Sequence, residues 1–206
     1  MRGGDTRALR AFNERLILGA IRQHGPLSKA DLARVTGLSA QAAATIVNGL
    51  LIDGLVQKRP KVRGQVGQPH TPLALDPGGA YALGVKIGRR SVEAVLVDFL
   101  GQVVTDAEQR YAAPLPALVL PLARDCAARV LARAPAPARR RIAGVGVAMP
   151  GDLPAWSDEL DVPADGLAGW AAIDVAEDLA DVTGIGATVY NDATAACAAE
   201  MALGPP

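Results

Sequence analysis

Residues 27–39 read Leu27-Ser28-Lys29-Ala30-Asp31-Leu32-Ala33-Arg34-Val35-Thr36-Gly37-Leu38-Ser39 and continue without a break to Leu55. The stretch predicts a helix, a tight turn and a second helix. Ser28 followed three positions later by Asp31 is a capping-box-like start, and Leu32 and Val35 give the short helix an apolar side. Gly37 can adopt the left-handed conformation that ends a helix, and Ser39 can cap the next one. That second helix is expected over about Ala40 to Leu51. Ile46, Val47, Leu50 and Leu51 would share one face, with Gln41, Ala42, Ala44, Thr45 and Asn48 toward the other. Two short helices joined by a Gly-containing turn form a helix-turn-helix, whose second helix enters the major groove of DNA.

Residues 53–75 fit a wing. Asp53-Gly54 makes a turn, Leu55-Val56-Gln57 reads as a short strand, and Thr71-Pro72-Leu73-Ala74-Leu75 reads as its return. Between them lie Lys58, Arg59, Lys61 and Arg63 in a Gly/Pro-broken tip that ends at Gly67-Gln68-Pro69. Such cations suit phosphates or the minor groove. The expected DNA contacts are therefore Ser39, Gln41, Ala42, Thr45 and Asn48 on the second helix and Lys58, Arg59, Lys61, Arg63 and Gln68 on the wing. Ser28, at the start of the first helix, is counted with them. The expected partner is a double-stranded DNA operator.

Charge supports this division. Residues 1–75 hold eleven Lys/Arg against four Asp/Glu, a net +7, and residues 76–206 hold ten against seventeen, a net −7. The formal neutrality of the 206-residue chain conceals a basic head and an acidic body, and the head carries the electrostatic footprint of a nucleic-acid binder. Half of the residues are apolar, enough for packed cores. Cys126 and Cys197 lie far apart without metal-like spacing and read as small buried residues of a reducing compartment. His24 and His70 are isolated. No metal site and no cofactor are expected. The start, Met1-Arg2-Gly3-Gly4-Asp5, has no secretory apolar region, and no run of about 18 apolar residues occurs. The expectation is a cytoplasmic protein with no membrane partner.

After the turn-rich Asp76-Pro77-Gly78-Gly79, the pattern changes to α/β, which sets the expected domains at 1–78 and 79–206. Tyr81–Gly88, Ser91–Asp98 and Gln102–Val104 read as a strand meander. A helix is predicted from Leu115 to Arg133, with Ala134 to Ala138 as a Pro/Ala linker. Ile142–Ala148 is an apolar run of the kind buried on both faces of a sheet, ending at Met149-Pro150-Gly151. A helix near Ile173–Val182, a strand around Thr188–Tyr190 and a helix from Ala193 to Met201, opened by Asn191-Asp192, complete one lobe of an α/β domain.

The ordered parts resemble the ROK family of repressors and sugar kinases. The resemblance rests on Asn13-Glu14-Arg15-Leu16-Ile17-Leu18, Gly67-Gln68-Pro69, Leu83-Gly84-Val85-Lys86-Ile87-Gly88, Gly144-Val145-Gly146-Val147-Ala148-Met149-Pro150-Gly151 and Asn191-Asp192-Ala193-Thr194-Ala195-Ala196-Cys197-Ala198-Ala199-Glu200. It implies a winged helix ahead of the first lobe of a hexokinase/actin-like (ribonuclease H-like) sugar-binding domain. The implied function is transcriptional regulation, repression above all, of carbohydrate uptake or catabolism, with a sugar or sugar phosphate as effector and a homo-oligomer as working form. It also implies that Asn191, Asp192 and Gly151 hold the sugar, with Asp192 at the position of the kinases' catalytic base. Read without the family, Asp192 is a cap for the last helix.

Three departures qualify the resemblance. Lys86 stands where the kinases carry the acidic residue of their first phosphate loop, and a cation cannot ligate Mg²⁺. This argues for a regulator, the alternative being a ROK-type sugar kinase with a DNA-binding appendage. The stretch before Trp170 lacks the family's Pro-Asn-Leu, so Trp170 is read either as a sugar-stacking ring or as core. The second phosphate loop, the Cys-rich zinc segment and the Glu and His of the sugar site are not found before Pro206. A lobe of this kind is expected to expose an apolar face, bind ligand weakly and self-associate.

Overall fold

The computed structural model describes residues 3–61, 70–160, 162 and 164–204. The chain divides into two compact units, one up to Gly79 and the other from Ala80 onward.

The first unit contains α1 (Gly3–His24), α2 (Lys29–Thr36), α3 (Ala40–Ile52), β1 (Val56–Lys58) and β2 (Leu73–Leu75). The Ser28 hydroxyl accepts the Asp31 N–H at the start of α2, and Gly37 (φ 70°) ends that helix in the left-handed region. Ser39 then caps α3 through the Ala42 N–H. The chain bends by 116° between α2 and α3, within the roughly 90–120° of helix-turn-helix units. Ile17, Ala20 and Ile21 of α1, Leu32 of α2, and Ala43, Val47 and Leu50 of α3 are buried. Each of the larger of these contributes about 1.5–3 kcal/mol of burial. Ala43 takes a core place that the apolar spacing assigns to Ile46 and Leu51; both of these are only half-buried. β1 and β2 pair antiparallel with Lys58 opposite Leu73, and Leu27 bridges to Leu73 on the other side. The unit is a winged helix-turn-helix, its wing described as far as Lys61 and again from His70.

The second unit contains β3 (Tyr81–Ile87), β4 (Ser91–Asp98), β5 (Val103–Arg110), α4 (Pro116–Arg133), α5 (Ala136–Arg139), β6 (Ile142–Met149), α6 (Ser157–Leu160), α7 (Ala164–Ala168), α8 (Val175–Thr183), β7 (Ala187–Asn191) and α9 (Asp192–Leu203). Its mixed sheet has the order β5-β4-β3-β6-β7. β3, β4 and β5 form the antiparallel meander, and β6 and β7 run parallel to β3. One sheet face (Leu83, Val85, Ile87, Val92, Ala94, Leu96, Val145 and Val147) packs against Val119, Ala123, Cys126, Ala127 and Val130 of α4 and Leu179 of α8. Arg124 of α4 donates to Asp178 of α8 through Nε (2.9 Å) and Nη2.

Several expectations are corrected. The third meander strand runs to Arg110, far past Val104. It is the sheet's edge, so only Ala107 is buried and the rest could remain polar. The expected Ala134–Ala138 linker contains the helical turn α5 with a Pro at its start. β6 is buried on one face only, because Gly144, Gly146 and Ala148 look to the other. There, α9 crosses the sheet without burying any of its own residues, and a hollow of about 560 Å³ opens among Gly84, Val95, Val103, Gly146, Ala148 and Ala195. Cys126 is buried, but Cys197 on α9 is exposed. No single helix among the described residues is long and apolar enough to cross a membrane.

Candidate nucleic-acid interface and strand-end cleft

α3 presents Ser39, Gln41, Thr45 and Asn48 to solvent, with Ala42 half-buried beside them. Thr45 Oγ1 donates to the Gln41 carbonyl (2.9 Å). Asn48 Oδ1 accepts from Lys29 Nζ at 2.7 Å. Lys29 therefore belongs to the same surface, a placement its sequence neighbours could not reveal because the bond spans two helices. Ser28 Oγ is occupied by its own cap: it accepts the Asp31 N–H (3.1 Å) and donates to Asp31 Oδ2 (2.6 Å). That hydroxyl and the Arg34 guanidinium hold the Asp31 carboxyl below the usual carboxylate range.

On the wing, Lys58, Arg59 and Lys61 are all exposed. The Arg59 N–H donates to the Pro72 carbonyl at 2.8 Å, which extends the hairpin beyond β1 and fixes where its cationic strand leaves the sheet. Arg63 and Gln68 lie outside the described residues. Beside α3, Leu9, Arg10 and Asn13 of α1 border a hollow of about 510 Å³ shared with Ser39, Gln41 and Thr45.

The second unit gathers loops at the carboxyl ends of its parallel strands. Lys86 lies opposite Ala148, and Ala148 opposite Tyr190, so Gly88, Gly151 and Asn191 leave the sheet along one edge. Gly151 comes so close to the next strand end that a Cβ there would stand 3.3 Å from Asn191 Nδ2. Asn191 caps α9, its Oδ1 accepting the Ala193 (3.1 Å) and Thr194 (3.3 Å) N–H groups. The cap is thus Asn191, and Asp192 is the first helical residue, with Oδ1 2.9 Å from the Ala193 N. Asp192 is half-buried and Gly151 exposed.

Lys86 Nζ lies 3.4 Å from Glu93 Oε1, which also accepts from Ser91 Oγ (3.1 Å). Arg89 stacks 3.8 Å over the Trp156 ring from the β3–β4 turn. Tyr111 secures that turn: its hydroxyl lies 2.7 Å from the Gly88 carbonyl and 2.8 Å from that of Ser91. Burial pushes its phenol pKa upward and keeps it a donor. Trp170 is core. It is buried, and its indole N–H donates to the Pro114 carbonyl at 2.7 Å. Among the described residues, no group of three or more His, Cys, Asp or Glu could hold a metal.

Comparison with known proteins matches both units. The MarR family model matches residues 11–64. A transcriptional regulator of Mycobacterium tuberculosis (strain H37Rv) is 30% identical over 190 residues, which cover 91% of this chain and 42% of the relative. The xylose repressor of Bacillus subtilis (strain 168) is 22% identical over 200 residues, covering 97% and 51%. A solved ROK family transcriptional regulator, a homologue of the E. coli MLC protein, superposes with a TM-score of 0.63 at 21% identity over 94% of this chain and 48% of that one. The chain thus spans about half the length of the relatives it matches.

Proposed function

We propose that this chain is a transcriptional regulator of the ROK family and that it binds an operator in double-stranded DNA through α3 and the wing, under control of a sugar or sugar phosphate. The observation that carries the reading is the outward face of α3, polar along Ser39, Gln41, Thr45 and Asn48, joined to the exposed wing cations Lys58, Arg59 and Lys61. Gln and Asn amides and the Thr methyl match base edges, and the cations match phosphates. Ser28, the N-cap of α2, is proposed as a further DNA contact beside them. The repressor named among the relatives acts in xylose control by its name, which supports a repressor role and a carbohydrate effector here. Its working place is the cytoplasm.

Asn191, Asp192 and Gly151 are the proposed sugar contacts, since the parallel register brings them to one strand-end edge. The reading is of a regulator without phosphoryl transfer. Lys86, on the strand that leads into the kinases' first phosphate loop, is a cation beside Glu93 and offers nothing to Mg²⁺. The α9 face of the sheet, open over its glycine floor, supports a homo-oligomer as the working form.

Selection from a randomised pool of duplexes tests the proposal. The chain is expected to enrich a defined sequence, and Gln41→Ala or Thr45→Ala to change which sequence is enriched. Enrichment of no sequence, or the same sequence with both variants, contradicts the assignment of α3.

A further inference from the structure

We propose that the DNA-binding surface extends onto α1, with Arg10 and Asn13 meeting the phosphate backbone that borders the groove read by α3. This rests on the DNA-binding reading above. The hollow between the two helices has Arg10 and Asn13 on one wall and Ser39, Gln41 and Thr45 on the other. A duplex seated on Gln41 and Thr45 therefore passes over α1 as well. In helix-turn-helix complexes the second helix lies in the groove and the motif's first helix, here α2, crosses the backbone; α1 would add to that backbone contact from its own side of α3.

The two α1 side chains suit that contact. Arg10 is 68% exposed yet fixed: its Nε donates to Glu14 Oε1 at 2.8 Å. Its Nη2 lies 3.6 Å from where a Gly49 Cβ would stand, so the guanidinium rests against α3. Glu14 holds it firmly cationic, and the Nη groups are donors of the kind phosphates take. Asn13 is half-buried at the hollow, and its amide makes no hydrogen bond to another described residue. Arg7 and Arg15, also exposed, make α1 a basic helix. Leu9 and Phe12, each 58% exposed, would equally suit a second copy of the chain. The cations and the unused amide favour DNA.

The test measures binding by fluorescence anisotropy over a range of KCl. Two duplexes of equal length are used, one enriched by the unmodified chain and one unrelated. Arg10→Gln is expected to weaken both alike and to reduce the slope of log affinity against log salt by about 0.9, the loss of one phosphate contact. Arg10→Lys should restore the slope. Asn13→Ala should weaken binding without changing the slope, and Asn13→Asp should weaken it further, by roughly tenfold. Thermal melts by circular dichroism verify that each variant folds. The inference is overturned if all four variants bind like the unmodified chain while Thr45→Ala alters binding. It is equally overturned if they change only self-association in sedimentation. If the unmodified chain binds neither duplex at low salt, the DNA-binding reading falls and this inference with it.

Discussion

Lys29 Nζ and Asn48 Oδ1 meet at 2.7 Å, joining the first turn of α2 to the outer face of α3. The contact uses one of the two lone pairs of Asn48 Oδ1 and leaves its NH₂ to donate. Asn48 therefore keeps the donor NH₂ for a phosphate oxygen or a purine acceptor, with one lone pair of Oδ1 left to accept. It also brings a cation to the outer face of α3.

Removing either partner should therefore have a different result. Lys29→Ala is expected to lower the salt slope of DNA binding by about 0.9 and to free the Asn48 amide. Asn48→Ala should leave the slope unchanged and cost about 1–3 kcal/mol of discrimination at one base position if the NH₂ meets a base. Competition binding with single-base operator variants measures this. Equal losses on every duplex would place Asn48 on phosphate instead.

The reciprocal Ser28–Asp31 pair predicts stability. Ser28→Ala should cost about 1 kcal/mol, as for other N-caps, read as a lowered midpoint in urea unfolding. Asp31 is held below its unfolded value by Ser28 and Arg34. Its contribution is therefore complete above the unfolded carboxylate range near pH 4 and is lost as the pH falls through the native value. Asp31→Asn should lower stability at pH 7 and flatten its fall in acid. An unchanged acid limb would contradict the pairing.

The position of Asn191 as the cap of α9 separates two effects that are entangled in the sequence. Asn191→Ala should destabilise α9 by about 1 kcal/mol as well as weaken sugar binding. Asp192→Asn leaves the cap in place, so its melting shift should be small while sugar affinity falls. Calorimetric titration with a panel of hexoses, pentoses and their phosphates measures the second effect, and unchanged affinity for a bound sugar would remove Asp192 from the site. The same panel with ATP should show no phosphorylation. Turnover that vanishes in Asp192→Asn would reverse the reading of Lys86.

The helix-turn-helix is legible in the sequence because its determinants are local. Ser28, Gly37 and Ser39 set both helix boundaries by their own backbone and side-chain chemistry. The full length of β5 is hidden because an edge strand needs no apolar alternation, and Thr105–Arg110 reads as solvent-facing polar sequence. The apolar run of β6 suggests two covered faces, yet Gly144 and Gly146 provide a floor over which the sheet stays open. Contacts across elements are out of reach from spacing alone. Lys29 with Asn48, Gly151 with Asn191, and Arg10 beside α3 all depend on packing or on parallel register. Trp170 reads either way in the sequence, and its burial together with its N–H on the Pro114 carbonyl makes it core.

The central claim, that the basic winged unit binds DNA, is tested most directly by the salt dependence of binding of the unmodified chain to duplex DNA. Counterion release predicts tight binding at low salt that falls linearly on a log–log plot, by about 0.9 for each phosphate contacted. Arg59→Ala with Lys61→Ala should make that slope shallower and weaken binding to every sequence. Binding that ignores salt, or no binding at low salt, would contradict the account.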